Sequence, residues 1–247
     1  MYIAASTHSL GELSFNEICE QFVDLEYDKI ELWLSEDHGP LKPSELGGNP
    51  ERFVTLYRET TRLTPVAFHL ETDPGAECFA NLCRLGKMMR ITQFTLPAGV
   101  LGTPFNEEID RLRSRLAIAN AGGMRLSLKT ETGHLTEDPQ TAVELCQAVP
   151  GLGLTLDVSH YMVGKYSHLS HDAVYPYVYH VHLRDSTSKQ LQVPVGLGEI
   201  DYSRIIAQLD RINHCRMLSV EFIPELYGDA DRHLELRKIR MLLETLL

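Results

Sequence analysis

Apolar and polar positions along this chain follow two rhythms that keep changing places. Stretches of period two, the spacing of strands, give way to stretches of period 3.6, the spacing of helices. Residues 2–8 read as a strand, with Ala4, Ser6 and His8 on one face. Residues 14–25 read as a helix, apolar at Phe15, Ile18, Cys19, Phe22 and Val23, and Ser14 with Glu17 forms a capping box at its start. Further strands are predicted at residues 30–34, 66–71, 91–96, 125–131, 154–158, 180–184 and 217–223. Val66, Phe68 and Leu70 share one face of the third strand, opposite His69 and Glu71. Helical segments lie between them, and residues 233–247 close the chain with Leu236, Ile239, Leu243 and Leu246 at helical spacing.

Local signals punctuate this pattern. Asn49-Pro50, Asp73-Pro74 and Asp138-Pro139 each read as a helix start, a capping side chain followed by a proline that needs no N–H donor. Residues 35–48 form a polar loop rich in proline and glycine, long enough to cover a pocket. The sixth helix, around residues 168–177, is interrupted by Pro176 and many polar residues, which predicts a short or broken turn. Strands alternating with helices imply a parallel sheet, and eight such units close into a (β/α)₈ TIM barrel. A doubly wound open sheet fits less well, because no glycine-rich phosphate loop follows the first strand.

Composition narrows the reading. At 247 residues, with 43% hydrophobic and 23% charged, the chain suits a single α/β domain spanning 1–247 with a full core. The formal net charge of −11 argues against nucleic acid as partner, since phosphate binding needs clustered Lys and Arg. Five unpatterned cysteines suggest buried free thiols. A strand-like YIAAS at the start argues against a signal peptide, and no apolar run reaches transmembrane length, so a reducing cytoplasm is the expected location.

Chemistry gathers at the predicted strand ends. One face of the sixth strand carries Thr155 and Asp157, with His160 just beyond; one face of the seventh carries His180, His182 and Arg184. In a barrel the C-terminal strand ends converge on one mouth. His8, Glu31, Trp33, His69 and Glu71 reach it from early strands, and Lys129, Glu131 and Glu221 from later ones. Crowded carboxylates repel unless cations offset them. Lys129 and Arg184 supply two charges, and a divalent metal would supply the rest. Carboxylates with one or two imidazoles suit Mn, Mg, Co or Zn. The bland alternative is a dry ion-pair plug of Lys129 with Glu131 or Asp157, which buried pairs seldom favour as mere packing.

LTLDVSHY, HVHLRD, GLGEIDY and LSVEF resemble motifs of the sugar isomerase/epimerase superfamily with the xylose-isomerase-like barrel. The likeness follows the whole chain in element order and is sharpest from Arg125 onward. The resemblance implies one divalent metal held from strands five to eight, with Asp157, His182 and Glu221 as three ligands. His160 and Arg184 would touch substrate oxygens, with His180 lining the pocket or supporting it; His69, Trp33 and His8, which face inward at the mouth by alternation, are further candidates for substrate contact. The fourth ligand departs from the family: LSLKTETG places Lys129 where a glutamate is usual, with Glu131 two residues on. Three options follow: Glu131 reaches the metal, the metal has three protein ligands, or Lys129 replaces the metal's charge.

The resemblance implies an isomerase or epimerase acting on a small ketose or keto-polyol through enediolate proton transfer. Glu221 and Glu131 would move the proton, while Lys129 or Arg184 stabilises the oxyanion. An inosose-dehydratase-like lyase is the near alternative. An endonuclease-IV-like hydrolase is disfavoured by charge and by FTLPAG, which lacks the expected histidine. A non-catalytic sugar-binding descendant is the remaining class. Oligomeric state is left open.

Overall fold

The computed structural model describes every residue except 214, 216 and 229. Its sheet is a closed parallel barrel whose strands pair in sequence order, the first closing on the eighth. The strands are β1 (Tyr2–Ser6), β2 (Lys29–Leu34), β3 (Thr64–Leu70), β4 (Gln93–Leu96), β5 (Arg125–Lys129), β6 (Gly153–Asp157), β7 (Val178–Leu183) and β8 (Met217–Val220). Helices between them include α1 (Phe15–Asp24), α2 (Pro43–Gly48), α3 (Pro50–Thr60), α4 (Ala76–Met89), α5 (Phe105–Ala121) and α6 (Pro139–Ala148). They continue with α7 (Val158–Val163), α8 (Tyr202–Ile212) and α9 (Arg232–Leu246). Among the described residues no helix is long and apolar enough to cross a membrane.

Outward strand residues such as Leu32, Phe68, Phe94, Leu126, Leu156, Leu218 and Val220 are wholly buried in one core against the helices. Burying each such side chain contributes roughly 1.5–3 kcal/mol, so this layer dominates stability. The capping box at Ser14 forms as the sequence predicts, and Asn49 and Asp138 cap α3 and α6. The weak sixth helix is a 3₁₀ turn, Asp172–Tyr177, containing Pro176.

Three expectations need correction. Asp73 does not cap α4, whose N-cap is Gly75. Its carboxylate instead takes Arg111 Nη1 and Arg115 Nε at 2.5 and 2.8 Å, tying the end of β3 to α5. His8 lies in a 3₁₀ turn, Thr7–Leu10, beyond β1. Val66 leaves the outward face of its strand, because the β2/β3 register shifts between Ile30 and Glu31: Ile30 pairs with Pro65 and Glu31 with Ala67. Val66 packs instead with Ala4, Ala67 and Met217 in a small separate cluster. A similar shift lies between Leu154 and Thr155 against β7. Such bulges re-aim side chains beside functional sites.

Polar side chains of β4, β5 and β6 interlock inside the barrel. Gln93 Nε2 donates to Ser127 Oγ at 2.6 Å, Ser127 Oγ meets Thr155 Oγ1 at 2.6 Å, and Thr155 Oγ1 meets Thr95 Oγ1 at 2.7 Å. All four residues are buried.

Candidate active site

Parallel pairing brings the ends of β6, β7 and β8 level, with Asp157 opposite His182 and His182 opposite Ser219. Glu221 follows β8 directly, and its N–H donates to Leu183 O at 3.1 Å. Its carboxylate is the hub of the site. Oε2 meets Arg184 Nη2 at 2.8 Å, His182 Nδ1 at 2.9 Å and Lys129 Nζ at 3.1 Å. Oε1 lies 3.0 Å from His69 Nδ1 and 3.1 Å from His8 Nδ1. Burial alone would favour the protonated acid, but His182, Lys129 and His69 outweigh it and hold Glu221 well below the usual carboxylate range.

Glu31, on β2, faces this hub from across the barrel. Its Oε2 lies 3.1 Å from both His180 Nε2 and His182 Nε2. These imidazoles overcome the cost of burial and keep Glu31 ionised. Burial disfavours charge on His182 too, yet Glu221 and Glu31 raise it to about 9. His180 has the opposite fate: burial outweighs Glu31 and pushes it down to about 3, leaving a neutral ring that also bonds Ser219 Oγ at 2.8 Å.

Asp157 caps α7 through its contacts with the Ser159 N–H and hydroxyl. Its other oxygen takes Arg184 Nη2 at 2.7 Å, so one guanidinium bridges Asp157 and Glu221. Burial works against the Asp157 anion, and Arg184 more than compensates, lowering its pKa. His160 receives the Thr132 N–H on Nδ1 at 3.2 Å and sits 3.7 Å from Asp157; burial lowers it to about 4. For Lys129, burial opposes the charge, but Glu221 and then Glu131 raise its pKa, so it stays an ammonium.

The structure places the predicted site residues in two layers. His8, Trp33, His69, Lys129 and Glu131 line a cavity of about 90 Å³. His8 and Trp33, stacked with ring centroids 4.1 Å apart, also line an outer cleft of about 500 Å³ together with Asp37 and Gly39 of the long loop after β2. Asp157, His180, His182, Arg184 and Glu221 lie beneath, each at most 1% exposed. Among the described residues, the compact group of potential metal donors is Glu31, His69, His182 and Glu221, whose ligand atoms lie within 4.8 Å of one another. His182 and Glu221 are thus joined by two residues that the motifs did not assign to a metal, while Asp157 and Glu131 stand outside the group. Alternation marked Glu31 and His69 as inward-facing; only barrel closure sets them against β7 and β8. Two carboxylates and two imidazoles are a donor set that suits a divalent ion.

Residues 19–242 match the family described as the xylose isomerase-like TIM barrel. The chain belongs to that family. Sequence comparison with curated proteins gave no match. Among solved structures, the probable 3-DHS dehydratase AsbF of Bacillus anthracis superposes with a TM-score of 0.73 at 19% identity, over 99% of each chain. The IOLI protein with a bound zinc atom gives 0.73 at 17% identity, over 100% of this chain and 98% of its own. A D-psicose 3-epimerase, solved in the presence of D-fructose, gives 0.77 at 14%, over 100% and 99%. At such identities these likenesses show the shared fold alone.

Proposed function

We propose that this chain is an enzyme that moves a proton beside the carbonyl of a small ketose or keto-polyol, as an isomerase or epimerase. The observation that carries this reading is the small cavity that Lys129 and Glu131 line together, with Lys129 Nζ held 3.1 Å from the buried Glu221 carboxylate. An enediolate oxygen forming there would meet a preorganised ammonium, the kind of stabilisation worth most in a site shielded from water. Glu131 is the better placed proton acceptor. It lines the cavity and its side chain is 28% exposed, whereas Glu221 is wholly buried with both oxygens engaged. Burial would raise the Glu131 pKa, but Lys129 and His160 bring it below the ordinary value, so it stands ready as a carboxylate.

Glu221 therefore serves to hold Lys129 and Arg184 rather than to shuttle the proton. One divalent cation, with His182 and Glu221 among its ligands, would add Lewis-acid polarisation of the carbonyl. The outer cleft favours a small uncharged polyol over nucleic acid: its described lining includes Glu12, Asp37, Glu71 and Glu225 and no Lys or Arg. The five cysteines, all free, accord with a cytoplasmic setting. A dehydratase-like lyase would share the same first step and differ in losing water afterwards.

Incubation with a panel of ketoses and inososes in D₂O tests the reading. NMR should show deuterium entering the carbon next to the carbonyl, and Glu131→Gln should slow this by roughly 10²–10⁴-fold. Turnover without label would mean hydride shift, and no reaction with any of them would overturn the enolisation reading.

A further inference from the structure

The motifs of strands five to eight imply a metal between Asp157 and Glu221, yet that space is already filled by protein cations. Arg184 Nη2 lies 2.7 Å from Asp157 Oδ2 and 2.8 Å from Glu221 Oε2, and Lys129 Nζ is 3.1 Å from the same Glu221 oxygen. The orphaned donors lie on the other side of Glu221. Glu31 Oε1, His69 Nδ1 and His182 Nδ1 are all buried and without a hydrogen-bond partner. The two imidazole nitrogens come within 3.0 and 2.9 Å of Glu221 oxygens but make no aligned hydrogen bond to them. Donor atoms gathered this closely without pairing would share one divalent cation, which takes the place of the proton on His182, because metal ligands bind deprotonated.

We infer that the divalent ion of this protein is bound by Glu31, His69, His182 and Glu221, on the β2–β3 side of the mouth, and not by Asp157 and Glu131. This inference rests on the metal-assisted reading above. Charge agrees with it. With His182 neutral, as coordination requires, Glu31, Asp157, Glu221 and Glu131 face two fixed cations, Lys129 and Arg184, which leaves two negative charges for one divalent ion. Orientation agrees as well: Glu31 Oε2 is held by His180 and His182, leaving Oε1 free to coordinate. Ligand–metal distances of about 2.0–2.1 Å put the donors of a tetrahedral site roughly 3.4 Å apart, a modest contraction from the 4.8 Å limit seen. Two imidazoles also favour zinc or cobalt over magnesium, which prefers oxygen ligands.

The two placements differ in how many histidines touch the ion, so the unmutated protein can decide between them. X-ray absorption of the full chain loaded with one equivalent of zinc should show two imidazoles at about 2.0–2.1 Å. One imidazole, or a wild-type chain that takes up no zinc, would overturn the inference. In competition titrations, Glu31→Gln and His69→Gln should each weaken zinc binding by more than about 100-fold, beyond the 10–100-fold typical of supporting groups. Asp157→Asn and Glu131→Gln should cost less than about 10-fold, with circular dichroism checking that each variant is folded; the reverse ranking would overturn the placement. Two bound imidazoles in a protein that enolises no sugar would leave the placement standing and refute only the catalytic reading.

Discussion

Replacing Arg184 by Met should reveal what the guanidinium does under the site. Arg184 is 1% exposed and touches Asp157 Oδ2, Glu221 Oε2 and, through Nε, Glu221 O at 2.9 Å. Met keeps the apolar stem but carries neither the charge nor the guanidinium donors. Glu221 would keep Lys129, and Asp157 would keep Ser159 on Oδ1, but its buried Oδ2 would lose its cation and face only a neutral imidazole 3.7 Å away. Breaking a buried pair by removing one partner typically costs about 3–5 kcal/mol. For a chain of this size each kcal/mol lowers the melting temperature by about 2–4 °C, so the fall should be roughly 6–20 °C. Calorimetry and denaturant titration would measure it. The loss should shrink as pH falls, because an unpaired Asp157 takes up a proton instead of standing charged. Adding Asp157→Asn should recover part of the loss, giving a coupling of about 0.5–3 kcal/mol. A single variant destabilised by under about 1 kcal/mol, with no coupling to Asp157, would refute the claim that Arg184 occupies the place of a metal between these carboxylates.

Lys129→Met should depress kcat on an accepted ketose by roughly 10²-fold or more while leaving KM close to wild type, since its charge is needed mainly when the oxyanion forms. Equal kinetics would remove its catalytic role. In chelated protein, stability should peak near pH 6.5. His160 and His180 stay neutral when folded down to about 4 and about 3, so stability falls as the unfolded chain takes up protons below 6.5; His182, raised to about 9, stabilises at low pH and loses this as pH climbs toward 9. Denaturation midpoints rising steadily from pH 4 to 9 would contradict this.

The repeat of strand and helix was legible because outward residues such as Leu32, Phe68 and Leu156 mark the period unaided, and every strand pairs with its sequence neighbour. Lys129, Asp157, His182 and Glu221 could be placed at one mouth for the same reason. The pairing of Glu31 with His182 could not, because contacts across the barrel interior leave no periodic trace along the chain. Asp73 misled for a related reason. An Asp-Pro step looks the same whether its carboxylate caps the next helix or reaches Arg111 and Arg115, more than thirty-five residues away. Bulges near Val66 and Thr155 were equally silent, since each depends on how two strands meet.

The interlocked Gln93, Ser127, Thr155 and Thr95 bear on how this barrel can change over evolutionary time. Trading any one of them for an aliphatic residue strands its neighbours' hydrogen-bonding groups in the interior, at about 1–3 kcal/mol for each group left alone. Stepwise drift through this floor is therefore uphill, and only joint replacement escapes the penalty. Loops that reach the cleft, such as the one carrying Asp37 and Gly39, meet no such obstacle. New substrates would be acquired at the rim, with the layer under the site inherited as a block.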